Sequence, residues 1–345
     1  MVRYLFVTNS PSGGGAERAT NILVRQLQAM NVDAGILTIN SGVEDLITPP
    51  IKNFSLNRTW LSGPIETIST GLKYRKTLLE LNPEVVIANC DLPEFMAAFF
   101  GPKGKVVCVE HSRKPWRGRK ALGSIVRLIL RIRGAKWVIV SSFAKPWASF
   151  TSDYRQINNP VDFDSLGFAL EHIAPQTGKI VERLLFVGRL DSEQKRPKWL
   201  IEIANKVGLP VTFIGPEAGR VDLENFAELK DVSVNFIGHQ SNPWLNWNSG
   251  DLLIVPSSHE ADGLVAVEAI GLRIPLLLSD LHEFRRFNLD DKSYCKDISD
   301  FSNRINENRH DISFFQTRQN TSMELRSERD PRSVAQKWQK TLAEI

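Results

Sequence analysis

Two glutamates eight positions apart, Glu260 and Glu268, flank a strand-to-helix turn that follows a short apolar run. If a helix begins near Gly263, Glu268 lies about 7 to 8 Å along its axis, while Glu260 stays on the loop beside the helix N-terminus. The free N–H groups of Gly263, Leu264 and Val265 would then lie between two carboxylates. Such a pocket suits a nucleotide sugar, with the diphosphate on the amides, the ribose on Glu268 and the sugar hydroxyls on Glu260. Alternatively, Glu260 is a surface acid and Glu268 pairs with a nearby cation.

A second candidate site follows the apolar run Leu184 to Val187. Gly188, Arg189 and Lys195 come directly after this run. In an open α/β sheet, ligands collect at the carboxyl ends of the strands, where two cations can clamp a diphosphate. The alternative is a solvent-exposed loop in which Arg189 and Lys195 pair with the acidic residues Asp191 and Glu193 of the same loop.

Three consecutive glycines mark the turn between the first apolar run and the first helical pattern. Gly14 and Gly15 stand directly before the helix, where backbone N–H groups face outward and can bind an anion. The spacing is not GxGxxG, and no acidic residue follows where a ribose ligand would be expected. The pattern fits a phosphate loop and a tight glycine turn equally well.

One histidine and one acidic motif are further candidates for a functional site. His111 lies just past the apolar run Val106 to Val109, although a lone histidine is ordinarily structural. Asp162 and Asp164 form a formal DxD motif, but they follow Asn-Pro, where aspartate commonly caps a turn or helix. We therefore expect no metal site and no other cofactor.

Several segments together resemble retaining GT-B glycosyltransferases of family GT4, over almost the whole chain. The matching segments are Gly13 to Arg18 (GGAER), Glu110 to Ser112 (EHS), Asn159 to Asp162 (NPVD), Val187 to Leu190 with Lys195, and the EX7E pair Glu260 and Glu268. Two departures concern the donor: Ala261-Asp262 replaces the common Gly-Phe, and Gly215-Pro216 replaces Gly-x-Gly.

The resemblance implies a fold of two Rossmann-like doubly wound domains facing a central cleft, and transfer from a nucleotide sugar, with UDP expected. It implies catalytic roles for His111, Arg189, Lys195 and Glu260. Donor contacts are implied for Gly14, Gly15, Gly188, Arg189, Lys195, Gly238, Glu260, Gly263, Leu264, Val265 and Glu268. The alternatives are a GT-B sugar-nucleotide epimerase, and a catalytically idle homologue that only binds membranes.

The segment from Arg113 to Lys136 carries nine basic residues and no acidic one. Apolar residues at helical spacing (Leu122, Ile125, Ile129, Ile132) predict a helix with one apolar face and a cationic remainder, as in helices that lie on anionic membranes. The alternative is an ordinary crossover helix with a solvated basic face. By resemblance to lipid-linked-oligosaccharide enzymes, a lipid-linked glycan acceptor and an anionic membrane are expected partners. The residues assigned to them are Arg18, Arg117, Arg119, Lys120, Arg127 and Arg131.

Ten apolar runs of strand length alternate with longer helical patterns and predict parallel strands buried on both faces. They are Tyr4 to Val7, Ala34 to Ile39, Val85 to Ala88, Val106 to Val109, Trp137 to Val140, Leu184 to Val187, Val211 to Ile214, Val234 to Ile237, Leu252 to Val255 and Pro275 to Leu278. This pattern predicts an α/β fold with two domains, at 1–165 and 175–329. The resemblance to GT4 implies that the first binds the acceptor and the second binds the nucleotide sugar. A capped terminal helix is expected at 330–345. Its sequence does not say which domain it packs on, and it could cross back to the N-terminal domain.

Composition supports this interpretation. A chain of 345 residues with 42% apolar residues can bury two cores, and a net charge of +4 does not favour nucleic acid as a partner. Three cysteines without CxxC spacing argue against a disulfide framework and for a reducing compartment. Without a signal-like N-terminus or an apolar span, the expectation is a cytoplasmic protein, peripheral on the inner face of the cytoplasmic membrane.

Overall fold

The computed structural model describes residues 2–11, 14–41, 52–59, 63–112, 114–143, 154–167, 179–191 and 193–344. Gly13, Arg113 and the stretch 175–178, which the sequence analysis uses, lie outside the described residues. The chain divides into two compact units. The first comprises Met1–Val161 with Glu328–Ile345, and the second comprises Asp162–Ser327.

The first unit is built on a seven-stranded parallel sheet of order β3-β2-β1-β4-β5-β6-β7. Its strands are β1 (Tyr4–Thr8), β2 (Ala34–Asn40), β3 (Lys52–Arg58), β4 (Val85–Asn89), β5 (Val106–Glu110), β6 (Lys136–Ile139) and β7 (Tyr154–Gln156). The three central strands β1, β4 and β5 are buried along their whole length, as expected for parallel strands covered by helices on both faces.

Among the described residues, five helices cover this sheet: α1 (Gly15–Ala29), α2 (Pro64–Leu81), α3 (Asp91–Phe100), α4 (Lys120–Ile132) and α12 (Pro331–Ala343). Right-handed crossovers place α2, α3 and α4 on one face of the sheet and α1 on the other, because the strand order reverses direction at β1 and β4. The contacts agree with this division, since α3 packs on both α2 and α4, whereas α1 packs on α12.

The second unit repeats the design with a six-stranded parallel sheet of order β10-β9-β8-β11-β12-β13. Its strands are β8 (Arg183–Val187), β9 (Val211–Ile214), β10 (Val234–Gly238), β11 (Asp251–Val255), β12 (Leu276–Ser279) and β13 (Tyr294–Cys295). Its helices are α5 (Phe163–Gly167), α6 (Pro197–Val207), α7 (Arg220–Leu229), α8 (Leu264–Gly271), α9 (His282–Arg285), α10 (Ile298–Asn308) and α11 (Gln319–Arg329), the last of which ends at the border of the two units.

Local sequence signals set several of these boundaries. Pro64 and Pro197 occupy the first turns of α2 and α6, where a missing N–H group costs nothing. Gly208 ends α6 in a left-handed conformation with φ of 64°. The side chain of Asp330 accepts a hydrogen bond from the N–H of Ser333 and caps α12.

The terminal helix α12 belongs to the first unit. Val334, Trp338 and Leu342 are buried at the helical spacing that the sequence predicts, and the ring of Trp338 meets that of Phe6 edge to face at 5.8 Å. The terminal helix is therefore part of the first unit's core.

The continuous N-terminal part of the first unit ends at Val161, slightly before the end at residue 165 that the sequence predicts.

Candidate active site

A short ion pair joins two of the candidate residues, Lys195 and Glu260. Nζ of Lys195 donates to Oε1 of Glu260 at 2.6 Å, and Oγ of Ser257 donates to the same oxygen at 2.8 Å. The two residues occupy loops after β8 and β11, which are neighbours in the sheet, so their carboxyl ends meet. Both side chains are mostly buried. The expectation that Lys195 and Glu260 belong to one site is therefore consistent with the structure.

Gln194 holds the two loops together. The N–H of Ser258 donates to the carbonyl oxygen of Gln194 at 2.8 Å, and the Gln194 side-chain amide donates to the carbonyl oxygen of His259 at 2.9 Å. Gln194 could not be predicted from the sequence, because an isolated glutamine belongs to no motif with a characteristic spacing. Its exchange of hydrogen bonds fixes the loop that carries Lys195 against the loop that carries Glu260.

Glycines at the neighbouring strand ends allow a close backbone approach. The N–H of Gly188 donates to Ile214 at 2.9 Å, and the N–H of Gly215 donates to Gly238 at 3.0 Å. A Cβ atom on Gly215 would lie 1.9 Å from the carbonyl oxygen of Gly188, so no larger residue fits there. Although Gly215-Pro216 departs from the Gly-x-Gly pattern, Gly215 still allows the ends of the neighbouring strands to lie close together.

The helix α8 begins where the spacing of the two glutamates predicts. Gly263 is its N-cap with a φ of 64°, and a Cβ atom there would lie 2.8 Å from the Phe284 ring. The N–H groups of Leu264 and Val265 lie in the first turn, where α-helical geometry provides no partner within the helix. These amides form a donor cluster suited to an anionic ligand.

Glu268 points into the protein interior. It is almost fully buried, and its Oε2 accepts a hydrogen bond from Nε1 of Trp244 at 2.9 Å. Trp244 is itself completely buried, so its indole ring packs in the protein interior and donates its N–H group to Glu268. The partner of Glu268 Oε2 is therefore an indole and not a cation.

Asp262, one of the departures from the GT4 pattern, is anchored by Arg286. Nη2 of Arg286 donates to Oδ1 of Asp262 at 2.8 Å and to its carbonyl oxygen at 2.6 Å. Both contacts fix the loop between Glu260 and α8. Arg286 could not be predicted from the sequence, because a partner 24 positions away follows no local spacing.

Arg189 and the glycine loop are less enclosed. Arg189 is exposed, and within the described residues the structure does not join it to the pair of Lys195 and Glu260.

In the first unit, Gly14 caps α1 and its N–H donates to Oε2 of Glu17 at 2.9 Å, while Gly15 is the first residue of the helix. Arg18 lies in the first turn and is half-buried. The N–H group of Gly14 thus has a partner within the loop in this conformation.

His111 follows β5, with its ring positioned by hydrogen bonds from the neighbouring strand. Nε2 of His111 lies 3.3 Å from Oδ1 of Asn89, and the Asn89 amide donates to Oγ1 of Thr20 at 3.2 Å. Because the Asn89 oxygen only accepts, the tautomer with a proton on Nε2 satisfies this contact. Thr20 lies on α1, so the histidine is connected to the helix that follows the glycine loop.

Arg127 is buried in an ion-pair network, which corrects its assignment to an exposed membrane or acceptor surface. Its guanidinium donates to both oxygens of Glu94 at 3.1 Å and to Oε2 of Glu110 at 2.5 Å, and only 10% of its side chain is exposed. Nε1 of Trp116 also donates to Glu94 at 2.9 Å. The basic segment lacks acids of its own, but Glu94 and Glu110 reach Arg127 from α3 and β5.

Burial shapes the protonation of this network. Burial raises the pKa of the Glu110 carboxyl to about 8, although the charge of Arg127 opposes the shift. Burial likewise raises the pKa of Glu94. Burial also disfavours the charge of Arg127, but the two carboxylates outweigh it and raise the pKa of the guanidinium. One cation between two carboxyls favours a proton on one of them near neutral pH.

Comparison with known proteins identifies the second unit. Residues 174–313 match the family Glycosyl transferases group 1. This stretch contains Arg189, Lys195, Glu260 and Glu268. The family match thus covers most of the second unit. Among curated proteins, none matches the sequence significantly.

Solved structures extend the likeness to both units. Sucrose-phosphate synthase from Thermosynechococcus elongatus has 15% identity and a TM-score of 0.79, covering 100% of this chain and 99% of that one. Anabaena Alr3699/HepE in complex with UDP-glucose has 15% identity and a TM-score of 0.76, with full coverage of both chains. WaaG, a glycosyltransferase involved in lipopolysaccharide biosynthesis, has 14% identity and a TM-score of 0.69, covering 98% of this chain and 99% of that one. The fold is that of GT-B glycosyltransferases.

Four other cations of the basic segment lie on the surface. Arg117, Arg119, Lys120 and Arg131 are exposed. The packed side of α4 consists of Gly123, Val126 and Leu130. The expected apolar face is divided: Ile125 and Ile132 are exposed, whereas Leu122 and Ile129 are half-buried against the core. The helix is thus a packed crossover helix that also exposes large apolar side chains.

The DxD motif of the sequence makes local structural contacts. Asp162 accepts hydrogen bonds from the N–H and Oγ of Ser165 at the start of α5, and Asp164 pairs with Arg326 at 3.2 Å. Within the described ranges, no group of three or more His, Cys, Asp and Glu side chains is placed to hold a metal ion. In the same part of the chain, no helix combines the length and apolarity needed to cross a membrane.

Proposed function

We propose that this protein is a retaining glycosyltransferase that transfers a hexose or an N-acetylhexosamine from a UDP-sugar. The observation that carries the proposal is the buried pair of Lys195 and Glu260, held at the edge of the sheet within the group 1 domain. A cation, a carboxylate and the first amides of α8 then lie on neighbouring loops. These are the groups needed to bind a diphosphate and sugar hydroxyls together.

The chemistry follows from the charges of the reaction. Breaking the bond between the anomeric carbon and the diphosphate builds negative charge on the leaving phosphate and positive charge on the sugar. We assign Lys195, Arg189 and the amides of Leu264 and Val265 to the leaving phosphate, without a metal ion. Glu260 accepts hydrogen bonds from sugar hydroxyls, and Glu268 orders the ribose side of the site.

The remaining donor and acceptor roles rest on the resemblance to GT4 enzymes. His111 is assigned to the donor sugar or the reacting centre, and its fixed hydrogen bond to Asn89 supports a defined orientation. Gly14, Gly15 and Arg18 are assigned to the diphosphate and acceptor side. No covalent nucleophile is assigned, since retention of configuration is inferred from the family alone.

We further propose a lipid-linked or membrane-held glycan as acceptor, with the enzyme peripheral on the inner face of the cytoplasmic membrane. The exposed cations Arg117, Arg119, Lys120 and Arg131 support this, because such side chains attract anionic lipid and diphosphate groups. WaaG, a structure of the same fold, is involved in lipopolysaccharide biosynthesis.

A transfer assay with purified protein tests the proposal. UDP-, GDP- and ADP-sugars are first screened for thermal stabilisation, since a ligand that binds only the folded state raises the melting temperature. Transfer from the best donor to a lipid-linked glycan is then measured for wild type, Lys195→Ala and Glu260→Ala. Both variants should lose transfer while remaining folded. Arg304→Ala, which removes one partner of the Arg304–Asp300 pair in the same unit, is the matched control and should keep activity.

The assay also separates the alternatives. Release of nucleotide without any acceptor would favour a sugar-nucleotide epimerase. Tight UDP binding without turnover on any acceptor would favour a catalytically idle homologue. Wild-type turnover by Lys195→Ala or Glu260→Ala would show that the site is assigned wrongly.

A further inference from the structure

The exposed apolar side chains of the first unit are concentrated on one face. Of the thirteen large apolar residues that are exposed in the described structure, eight lie on α2, α3 and α4. They are Ile65, Ile68, Leu72 and Leu79 on α2, Phe99 on α3, and Ile125, Leu128 and Ile132 on α4. The other five lie in the second unit: Val221 and Leu229 on α7, Met323 on α11, and Ile180 and Leu245 outside its α-helices and strands.

The opposite face of the same sheet provides an internal comparison. It is covered by α1 and α12, and their described residues include no exposed large apolar side chain. Since both helical layers cover the same sheet, the difference is not a general property of helix packing in this unit. Exposed apolar groups gathered on one layer are typical of a surface that contacts a partner.

The apolar residues of α2 form a stripe. Ile65, Ile68 and Leu72 follow at spacings of three and four, and Leu79 continues the stripe two turns later. The buried side of the helix, with Tyr74 and Leu78, points the opposite way. Ile65 is 86% exposed and Leu79 is 74% exposed, so the stripe is not shielded by neighbouring helices.

Cations surround these side chains. The exposed basic residues described on the layer and its adjoining loops are Lys73, Arg75, Lys76, Lys103, Lys105, Lys114, Arg117, Arg119, Lys120, Arg131 and Lys136. The acids of α2 have local partners: Glu66 accepts hydrogen bonds from Thr59, and Oε1 of Glu80 lies 3.8 Å from Nζ of Lys76. The acids of α3 bind Trp116 and Arg127 at the inner side of the layer.

We propose that the outer faces of α2, α3 and α4 form a single membrane-docking surface, in which α2 inserts apolar side chains as α4 does. This extends the membrane location given under the proposed function, on which it rests, from the basic segment to a face of three helices. The partner is an anionic lipid bilayer: the apolar side chains enter the boundary between headgroups and acyl chains, and the basic side chains bind lipid phosphates.

Vesicle sedimentation tests this surface independently of catalysis. Full-length protein is mixed with phosphatidylcholine vesicles that contain or lack phosphatidylglycerol. Wild type should bind the anionic vesicles, and binding should weaken as salt is raised. The variants Ile65→Ser/Leu72→Ser on α2 and Ile125→Ser/Ile132→Ser on α4 should each lower the vesicle partition coefficient about tenfold or more, because burial of each large apolar side chain is worth more than a factor of ten.

The double variant Val221→Ser/Leu229→Ser on α7 is the matched control, since both residues are exposed apolar side chains of the second unit. It should bind vesicles like wild type. Wild-type binding by the α2 variant alongside loss by the α4 variant would overturn the three-helix surface. A concentration-dependent dimer that the α2 and α4 variants abolish would also overturn it, because the face would then be an interface between two copies. Donor binding and transfer to a soluble acceptor, measured on the same variants, report on the transferase activity separately.

Discussion

Nζ of Lys195 lies 2.6 Å from Oε1 of Glu260, although 65 positions separate the two residues in the sequence. The charge of Lys195 is therefore matched by a largely buried carboxylate before any ligand binds. A diphosphate that enters this site must compete with Glu260 for the ammonium group. Glu260 would then be released to accept hydrogen bonds from sugar hydroxyls.

This relationship predicts different effects for the two members of the pair. Lys195→Met should weaken UDP binding by about tenfold or more, because a charge-assisted hydrogen bond to phosphate is lost. Glu260→Gln should leave UDP affinity unchanged or raised, while weakening the UDP-sugar. Isothermal calorimetry with both ligands measures the difference. Equal losses for UDP and UDP-sugar in Glu260→Gln would contradict the role assigned to the carboxylate.

Removing the cation from the buried network should destabilise the first unit. Arg127→Met leaves Glu94 and Glu110 buried without their guanidinium, which costs about 3 to 5 kcal/mol of unfolding free energy. Urea unfolding followed by tryptophan fluorescence measures the change. Arg131→Met, one turn further along α4 and exposed, should stay within about 0.5 kcal/mol of wild type. Similar costs for both variants would show that helix propensity, not the network, is responsible.

The same network makes stability depend on pH. The pKa of Glu110 in the folded protein is about 8, above the ordinary 4.5, so the folded state holds a proton that the unfolded state releases. The stability this contributes is present below pH 4.5 and is lost as pH rises through 8. Between these values the unfolding free energy of wild type should fall relative to that of Glu110→Gln. Parallel pH profiles for the two proteins would contradict the raised pKa.

Steric crowding at the strand ends gives a prediction about glycine. Gly215→Ala places a Cβ atom 1.9 Å from the carbonyl oxygen of Gly188, so the ends of β8 and β9 must separate. We expect a loss of about 3 kcal/mol in stability together with weaker UDP binding. Gly167→Ala, whose Cβ would meet only Leu272 at 3.8 Å, should change stability by less than about 1 kcal/mol. Unchanged UDP binding in Gly215→Ala would separate this strand end from the donor site.

The ten apolar runs predicted as strands all appear in the two sheets, because parallel strands buried on both faces are marked by continuous apolarity. Three further strands, β3, β7 and β13, were not predicted from the sequence. The strand β3 alternates polar residues such as Asn53 and Asn57 with apolar ones, and it lies at the sheet edge. The two others are only three and two residues long, too short for a periodic signal.

Site prediction was limited in a different way. The position after a strand identified Lys195 and Glu260, since strand ends of a parallel sheet meet at one edge. The environment of Arg127 could not be deduced, because its partners Glu94 and Glu110 lie 33 and 17 positions away on other elements. The sequence of a basic segment gives the positions of its cationic residues, but it does not show which of these side chains are buried in the folded protein.

The packing of α12 onto α1 affects the order in which the protein can fold during synthesis. The core of the first unit includes Trp338 and Phe6, so the unit lacks part of its core until residues near 340 have left the ribosome. The second unit is continuous in sequence and is complete once residue 327 has emerged. The part of the chain that is translated first therefore completes its core last, after the whole second unit has been synthesised.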